Sequence, residues 1–155
     1  MKYLLIMFAI FCTIHSFAQT TTNKLSFDNT HTNWNFDIVK QDNKYIVSAS
    51  VLLEPGWHIF SSNPGGDGSL TSTEIEINEL KKQKISIEFK EFGELHEKEI
   101  AGIGSVRFYE NNAVFQMEFN DLTNIKTLNG VVSFQICNDE MCMAPTTKNF
   151  TLTIK

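Results

Sequence analysis

Apolar residues recur at every second position in a series of short segments, and this alternation is the strongest constraint on the fold. A period of two is that of a β-strand with one buried face and one solvated face. No segment shows a sustained helical period, and Glu79 to Lys82 is at most a turn. The sequence therefore predicts an all-β protein with about eight strands, at residues 34–38, 45–53, 75–77, 85–89, 106–108, 113–119, 132–136 and 150–154.

The breaks between these segments are polar or rich in glycine. Glu110-Asn111-Asn112 predicts a hairpin turn, and residues 64–68 (PGGDG) predict a flexible loop. The loop lacks the lysine and the following helix of a phosphate-binding loop, so no nucleotide cofactor is predicted. A length of 155 residues without internal repeats suits one domain. Short strands at this spacing favour an immunoglobulin-like β-sandwich, with a small barrel or jelly roll as the alternative.

The N-terminus has the pattern of a secretory signal peptide. Lys2 precedes an apolar run at residues 3–14, and Ser16-Phe17-Ala18 fits a cleavage site. We expect a signal peptide at 1–18 and a mature domain at 19–155 in the periplasm, an oxidising compartment; a retained anchor is the alternative. Cleavage leaves 12 basic residues of 13 against 18 acidic ones, a net charge of −6, which argues against nucleic acid as a partner.

Removal of Cys12 with the signal leaves a single pair of cysteines, Cys137 and Cys142. The four residues between them, Asn-Asp-Glu-Met, form a loop of common hairpin length. Residues that flank such a loop have Cα atoms about 4.5 to 5.5 Å apart, within the range that a disulfide accepts. Because Phe134 and Ile136 are expected to face the core, Cys137 should point the other way, near the surface at the hairpin tip.

The sequence alone leaves three roles open for this pair. As the structural staple of an immunoglobulin-like binding module, a disulfide closing so short a loop contributes about 2 kcal/mol, near the low end for disulfides. As a redox pair, a hairpin-tip disulfide is easy to reach and to open. As a metal site, the pair offers two ligands, to which His58 or His96 could add for zinc and Met141 and Met143 for Cu(I).

The segment from Phe134 to Ile154 resembles the active-site hairpin of the N-terminal periplasmic domain of DsbD, a transmembrane conveyor of thiol reductant. That family carries two cysteines across a short loop, then a proline and a Thr-Lys-like tail into the last strand. Three further stretches are similar to the family's Gly-aromatic strand, its cap loop and the strand after the cap. The matching residues are Cys137, Cys142, Pro145, Thr147 and Lys148, and the stretches are 56–60, 96–102 and 106–109.

The resemblance implies an immunoglobulin-like fold and a redox relay without a cofactor. In the family, the domain takes electrons from a thioredoxin-like domain and passes them to periplasmic thiol proteins through transient mixed disulfides. The resemblance points to Cys142 as the cysteine that forms the mixed disulfide with the partner and to Cys137 as the resolving cysteine. Because the chain ends one residue after the last predicted strand, we expect any transmembrane electron conduit to be a separate chain.

The family shields its cysteines with an aromatic cap residue, and the resemblance places Ile100 at that position. Lys98 and Glu99 stand where the family has two acids, and the loop between the cysteines is one residue shorter. The predicted shielding residues are Ile100, Glu99, Trp57 and Phe108. The predicted partner-docking residues are Asp139, Glu140, Met141, Met143 and Pro145.

Overall fold

The computed structural model describes residues 26–120 and 124–154. The predicted signal peptide at 1–18 lies outside these residues. Within the described ranges, no helix has the length and apolar character needed to cross a membrane.

The described residues form eleven strands and one short helix, which confirms the all-β prediction. All strand pairs are antiparallel. The elements are β1 Thr32–Gln41, β2 Lys44–Leu53, β3 His58–Gly65, β4 Glu74–Ile77, α1 Asn78–Gln83, β5 Ile87–Phe92, β6 Leu95–Ile100, β7 Gly104–Glu110, β8 Asn112–Asn120, β9 Thr127–Phe134, β10 Ile136–Cys137 and β11 Thr146–Thr153.

These strands are arranged in three sheets. The first sheet has the order β1-β2-β8-β5, the second β10-β3-β7-β6, and the third β11-β9-β4. Strand β8 begins directly after Asn111, which adopts a positive φ of 61° between β7 and β8. The predicted turn at residues 110–112 is therefore confirmed, and it links the second sheet to the first.

The main core lies between the first sheet and the other two. Phe36 of β1 stacks on Phe150 of β11 with ring centroids 4.4 Å apart, and Trp34 packs on Phe134 at 5.1 Å. Tyr109 of the second sheet meets Phe115 of the first edge to face at 6.0 Å. Packed aromatic pairs of this kind add to the free energy of apolar burial. Most of the alternating segments thus bury one face, as the sequence predicts. The exception is the segment 85–89, in which Ile87 and Phe89 are exposed.

The second sheet is covered on both faces. Ile59, Tyr109 and Ile136 point into the main core, whereas their neighbours along the strands point to the opposite side. There, Phe60, Val106, Phe108 and Cys137 form a second buried group, here called the small cluster. Because successive side chains of a strand alternate between faces, the same strands that build the core also present the small cluster.

Several elements differ from the sequence prediction. The helix α1 replaces a turn, with Leu80 buried against the core. Strand β3 extends to Gly65 inside the predicted loop, where a register shift against β7 occurs. Strand β6 occupies most of the predicted cap loop, and the last strand begins at Thr146, four residues before the predicted start at residue 150. In β6 most side chains are exposed, so no apolar alternation marks it.

Candidate functional site

The structure joins Cys137 and Cys142 in a disulfide across the predicted four-residue loop. The two residues also form an antiparallel bridge, and their Cα atoms are 3.9 Å apart. The backbone N–H of Asn138 donates to the carbonyl of Met141 at 2.9 Å, and that of Met143 donates to the carbonyl of Ile136 at 2.9 Å. The cysteines therefore lie at the base of a closed hairpin tip.

The side chain of Asn138 organises this tip. Its Oδ1 accepts the backbone N–H of Glu140 at 2.9 Å and that of Met141 at 2.8 Å. An asparagine that caps the loop backbone in this way fixes the turn without help from distant residues. The hairpin base is held separately by Gln135, whose Nε2 donates to the carbonyl of Met143 at 3.1 Å and whose Oε1 accepts the backbone N–H of Thr71 at 3.1 Å.

The two cysteines differ sharply in exposure. Cys137 is 2% exposed and belongs to the small cluster, whereas Cys142 is exposed. The expectation that Cys137 lies near the surface is therefore wrong. Its strand crosses from the third sheet to the second after Phe134, and the face opposite the core is itself covered by Phe60, Val106 and Phe108.

A groove of about 560 Å³ runs along this part of the molecule. Its walls come from the second sheet, from the β6–β7 turn and from the cysteine hairpin, and both cysteines line it. A volume of this size can accept several side chains of another protein. The groove is thus the place where a partner could approach the disulfide.

Three of the four predicted shielding residues line the groove: Ile100, Glu99 and Phe108. Ile100 ends β6 and packs against the small cluster that contains Cys137. Its carbonyl accepts the backbone N–H of Ile103 at 3.0 Å, which closes the β6–β7 turn. Trp57 lies elsewhere, because it packs against the main core and stacks on His31 at 4.0 Å.

Of the predicted docking residues, Asp139, Glu140 and Met141 are exposed and line the groove. Met143 packs against the main core, and Pro145 is exposed but outside the groove lining. Met143 and Met141 therefore lie on different sides of the hairpin, and the Cu(I) set of the sequence hypothesis is not assembled. Among residues 26–120 and 124–154, no group of three or more His, Cys, Asp or Glu side chains could hold a metal ion.

His58, named above as a possible zinc ligand, lies next to the disulfide. In the antiparallel register it is the partner of Cys137 on one side and of Glu110 on the other. Its ring packs on Phe108 at 4.7 Å and on Phe60 at 5.8 Å. Burial lowers the pKa of His58 below its ordinary value of 6.5, against the opposing effect of nearby Glu110 and Asp139. This position depends on the pairing of two strands far apart in the chain, which the sequence pattern did not predict.

The rim of the groove is mainly acidic. Glu99, Glu110, Asp139 and Glu140 line it, with Lys98 as the cation among them. Carboxylates beside a thiol disfavour its ionisation, so this rim does not by itself activate a thiolate. The acidic rim makes the groove negatively charged, and a partner with a positively charged surface can complement it.

The fold and the site together define an immunoglobulin-like β-sandwich with a disulfide at the edge of a groove. The sequence profile of the family described as "Thiol:disulfide interchange protein DsbD, N-terminal" matches residues 26–154. The chain therefore belongs to this family, and both the resemblance and the predicted fold class are confirmed. It is a domain of the thiol–disulfide interchange type. No relative was found among curated protein sequences.

Solved structures of related domains have the same fold. The N-terminal periplasmic domain of ScsB from Proteus mirabilis matches with a TM-score of 0.63 and 23% identity, over 83% of this chain and 49% of that chain. This chain thus spans about half of the ScsB chain. The reduced N-terminal domain of DsbD from Neisseria meningitidis matches with a TM-score of 0.54 and 13% identity, over 77% of this chain and 84% of that chain. The same domain in complex with the PilB N-terminal domain matches with a TM-score of 0.53 and 14% identity, over 83% of this chain and 88% of that chain.

Proposed function

We propose that this domain passes reducing equivalents between a thioredoxin-like donor and thiol proteins of the periplasm through the Cys137–Cys142 pair. The observation that carries the proposal is the asymmetry of the pair, with one exposed and one buried cysteine at the edge of a groove. An exchange reaction needs one sulfur that a partner can attack and a second that leaves and later resolves the mixed disulfide. This arrangement supplies both.

In the proposed reaction, a donor thiolate attacks Cys142, and the bond between Cys142 and Cys137 breaks. Cys137 leaves as a thiolate and takes up a proton, while a mixed disulfide joins Cys142 to the donor. The donor's second thiol then displaces Cys142, so the donor becomes oxidised and the domain holds two thiols. Reversal of the same steps on an oxidised acceptor protein passes the two electrons onward.

The relatives support a protein partner for this groove. The Neisseria meningitidis domain has been solved with the PilB N-terminal domain, so a domain of this fold can engage another protein. In the present chain, the exposed Asp139, Glu140 and Met141 are the groove residues that we assign to docking.

The alternative is that the disulfide is a structural staple. In this hairpin such a bond contributes little to stability. The loop closed by the disulfide is short, and Asn138 already holds it with two hydrogen bonds. Gln135 adds one hydrogen bond to Met143 at the hairpin base and one to Thr71. The entropy that such a bond removes from the unfolded chain is small. The domain does not need the bond for its core, since the main core is built by other residues.

Exchange with a thioredoxin-like protein tests the proposal. When the oxidised domain is mixed with a reduced thioredoxin, we expect two thiols per domain to appear, as measured by mass after alkylation. A Cys142→Ala variant should take no electrons from the thioredoxin. A wild-type disulfide that stays closed in the presence of excess reduced thioredoxin would contradict the proposal.

We also propose that Ile100 shields the pair. It packs against the small cluster that contains Cys137, so an Ile100→Ala change should open the groove. We expect the reduced variant to be oxidised several-fold faster by diamide than the wild type, with thiol loss as the readout. Ile87→Ala is the matched control, because Ile87 is 39% exposed on β5 of the first sheet. Equal rates of oxidation by diamide for Ile100→Ala and Ile87→Ala would contradict the shielding role of Ile100.

A further inference from the structure

His58 is placed to serve the buried cysteine of the pair. It lies opposite Cys137 in the β3–β10 register, so the two side chains project from the same face of the second sheet. Residues paired in this way have Cβ atoms about 4.5 to 5.5 Å apart, close enough for an imidazole to reach a thiol. His58 and both cysteines line the same groove.

Cys137 needs a base when it acts as a thiol. It is 2% exposed and surrounded by Phe60, Val106 and Phe108, and an apolar environment disfavours the thiolate that must attack. The carboxylates that line the groove add to this effect by their charge. A resolving thiol in this setting cannot ionise readily on its own.

Resting on the function proposed above, we propose that His58 accepts the proton of the Cys137 thiol when Cys137 resolves a mixed disulfide on Cys142. The proton moves to a ring nitrogen of His58, and the Cys137 sulfur attacks the Cys142 sulfur. The bond between Cys142 and the partner breaks, and the partner leaves as a thiolate. The pair is thereby oxidised and the partner reduced, and the imidazolium returns its proton to solvent or to the leaving thiolate.

The state of the ring suits this role. Burial lowers the pKa of His58 below 6.5, so the imidazole is neutral and able to accept a proton at pH 7. The charged groups that face it are Glu110 from β7 and Asp139 from the hairpin, which raise its pKa, and Lys98 from β6, which lowers it. Glu99 and Glu140 complete the charged lining of the groove.

The test uses 5,5′-dithiobis(2-nitrobenzoate) as an artificial partner. The reduced domain should release the chromophore in two steps, first when Cys142 attacks the reagent and then when Cys137 resolves the mixed disulfide. The first rate depends on reagent concentration and the second does not. We expect His58→Gln to leave the first step unchanged and to slow the second about a hundredfold at pH 7, at the lower end of general-base effects.

The pH profile separates a proton acceptor from a structural side chain. In the wild type, the second rate should stay level from pH 8 to below 6.5 and fall only at lower pH, where His58 becomes protonated. In His58→Gln the second rate should fall about tenfold per pH unit across this whole range. Without a base, only the small fraction of Cys137 that is already ionised can react. The defect of the variant therefore shrinks as the pH rises.

His96→Gln is the matched control. His96 stacks on the same Phe108 at 5.6 Å, but from β6 and outside the groove lining. His58→Phe is a second variant that keeps an aromatic ring on Phe108 and lacks a base. Parallel pH profiles for wild type and both His58 variants, or an equal loss in His96→Gln, would overturn the inference. Because the probe is a small molecule, this result is independent of whether a thioredoxin exchanges with the domain.

Discussion

A Cys137→Ala variant is expected to accumulate a covalent complex with its redox partner. The exposed Cys142 can still be joined to a partner by a disulfide, but the buried thiol that would release the partner is missing. The complex should therefore persist until an external thiol opens it. Expression of the variant in its native compartment, followed by non-reducing electrophoresis and mass spectrometry, should show the adduct and identify the partner.

Cys142→Ala is the matched control for this trapping experiment. It removes the exposed sulfur and keeps the buried one, so we expect no adduct above background. The reverse outcome, in which only the Cys142→Ala variant forms adducts, would mean that the roles of the two cysteines are exchanged. An absence of adducts from both variants, with the folded domain present in the compartment, would contradict a relay function.

The second large effect is a difference in alkylation between the two cysteines. With iodoacetamide, the single thiol of Cys137→Ala should react about a hundredfold faster than that of Cys142→Ala. The reason is burial, because the Cys137 thiol reacts only after the small cluster opens locally, at a cost of about 3 kcal/mol. Quenched-flow alkylation followed by intact mass measures both rates.

The pH dependence of the same reaction tests the effect of the acidic rim. Asp139 and Glu140 stand between the cysteines and are exposed on the groove. Because these carboxylates disfavour a thiolate, we expect the Cys142 rate to rise with a midpoint at or above about 8.5, the value for free cysteine. The reduced pair should then be slow towards generic oxidants and fast only with a docked partner. A midpoint well below that value would contradict this account.

Alternation predicted the strands that bury one face. β1, β2, β8 and β11 each carry an apolar side chain at every second position and pack into the main core. β3 lacks that signal because both its faces are covered, with Ile59 on the main core and Phe60 in the small cluster. β6 lacks it for the opposite reason, since Leu95 is 49% exposed. The two-residue period is therefore missing in β3 and β6, whereas β5 shows it although Ile87 and Phe89 are exposed.

That the two cysteines can form a disulfide could be predicted from local spacing, although their Cα atoms are 3.9 Å apart, closer than the expected distance of about 4.5 to 5.5 Å. The burial of Cys137 could not, since it follows from the crossing of β10 to the second sheet and from Phe60 and Phe108, which lie far away in sequence. The position of His58 depends on the same crossing, because β10 pairs with β3. Trp57 shows the limit of family analogy, as its ring stacks on His31 instead of lining the groove.

The most direct test of the central claim is the reduction potential of the Cys137–Cys142 pair. The oxidised domain would be equilibrated with glutathione or dithiothreitol buffers, and the fraction of thiols measured by alkylation and mass. An exchangeable pair should have a potential above about −300 mV, in the range where a thioredoxin can reduce it. A potential well below that value, in a domain that remains folded, would show a permanent structural bond and contradict the relay.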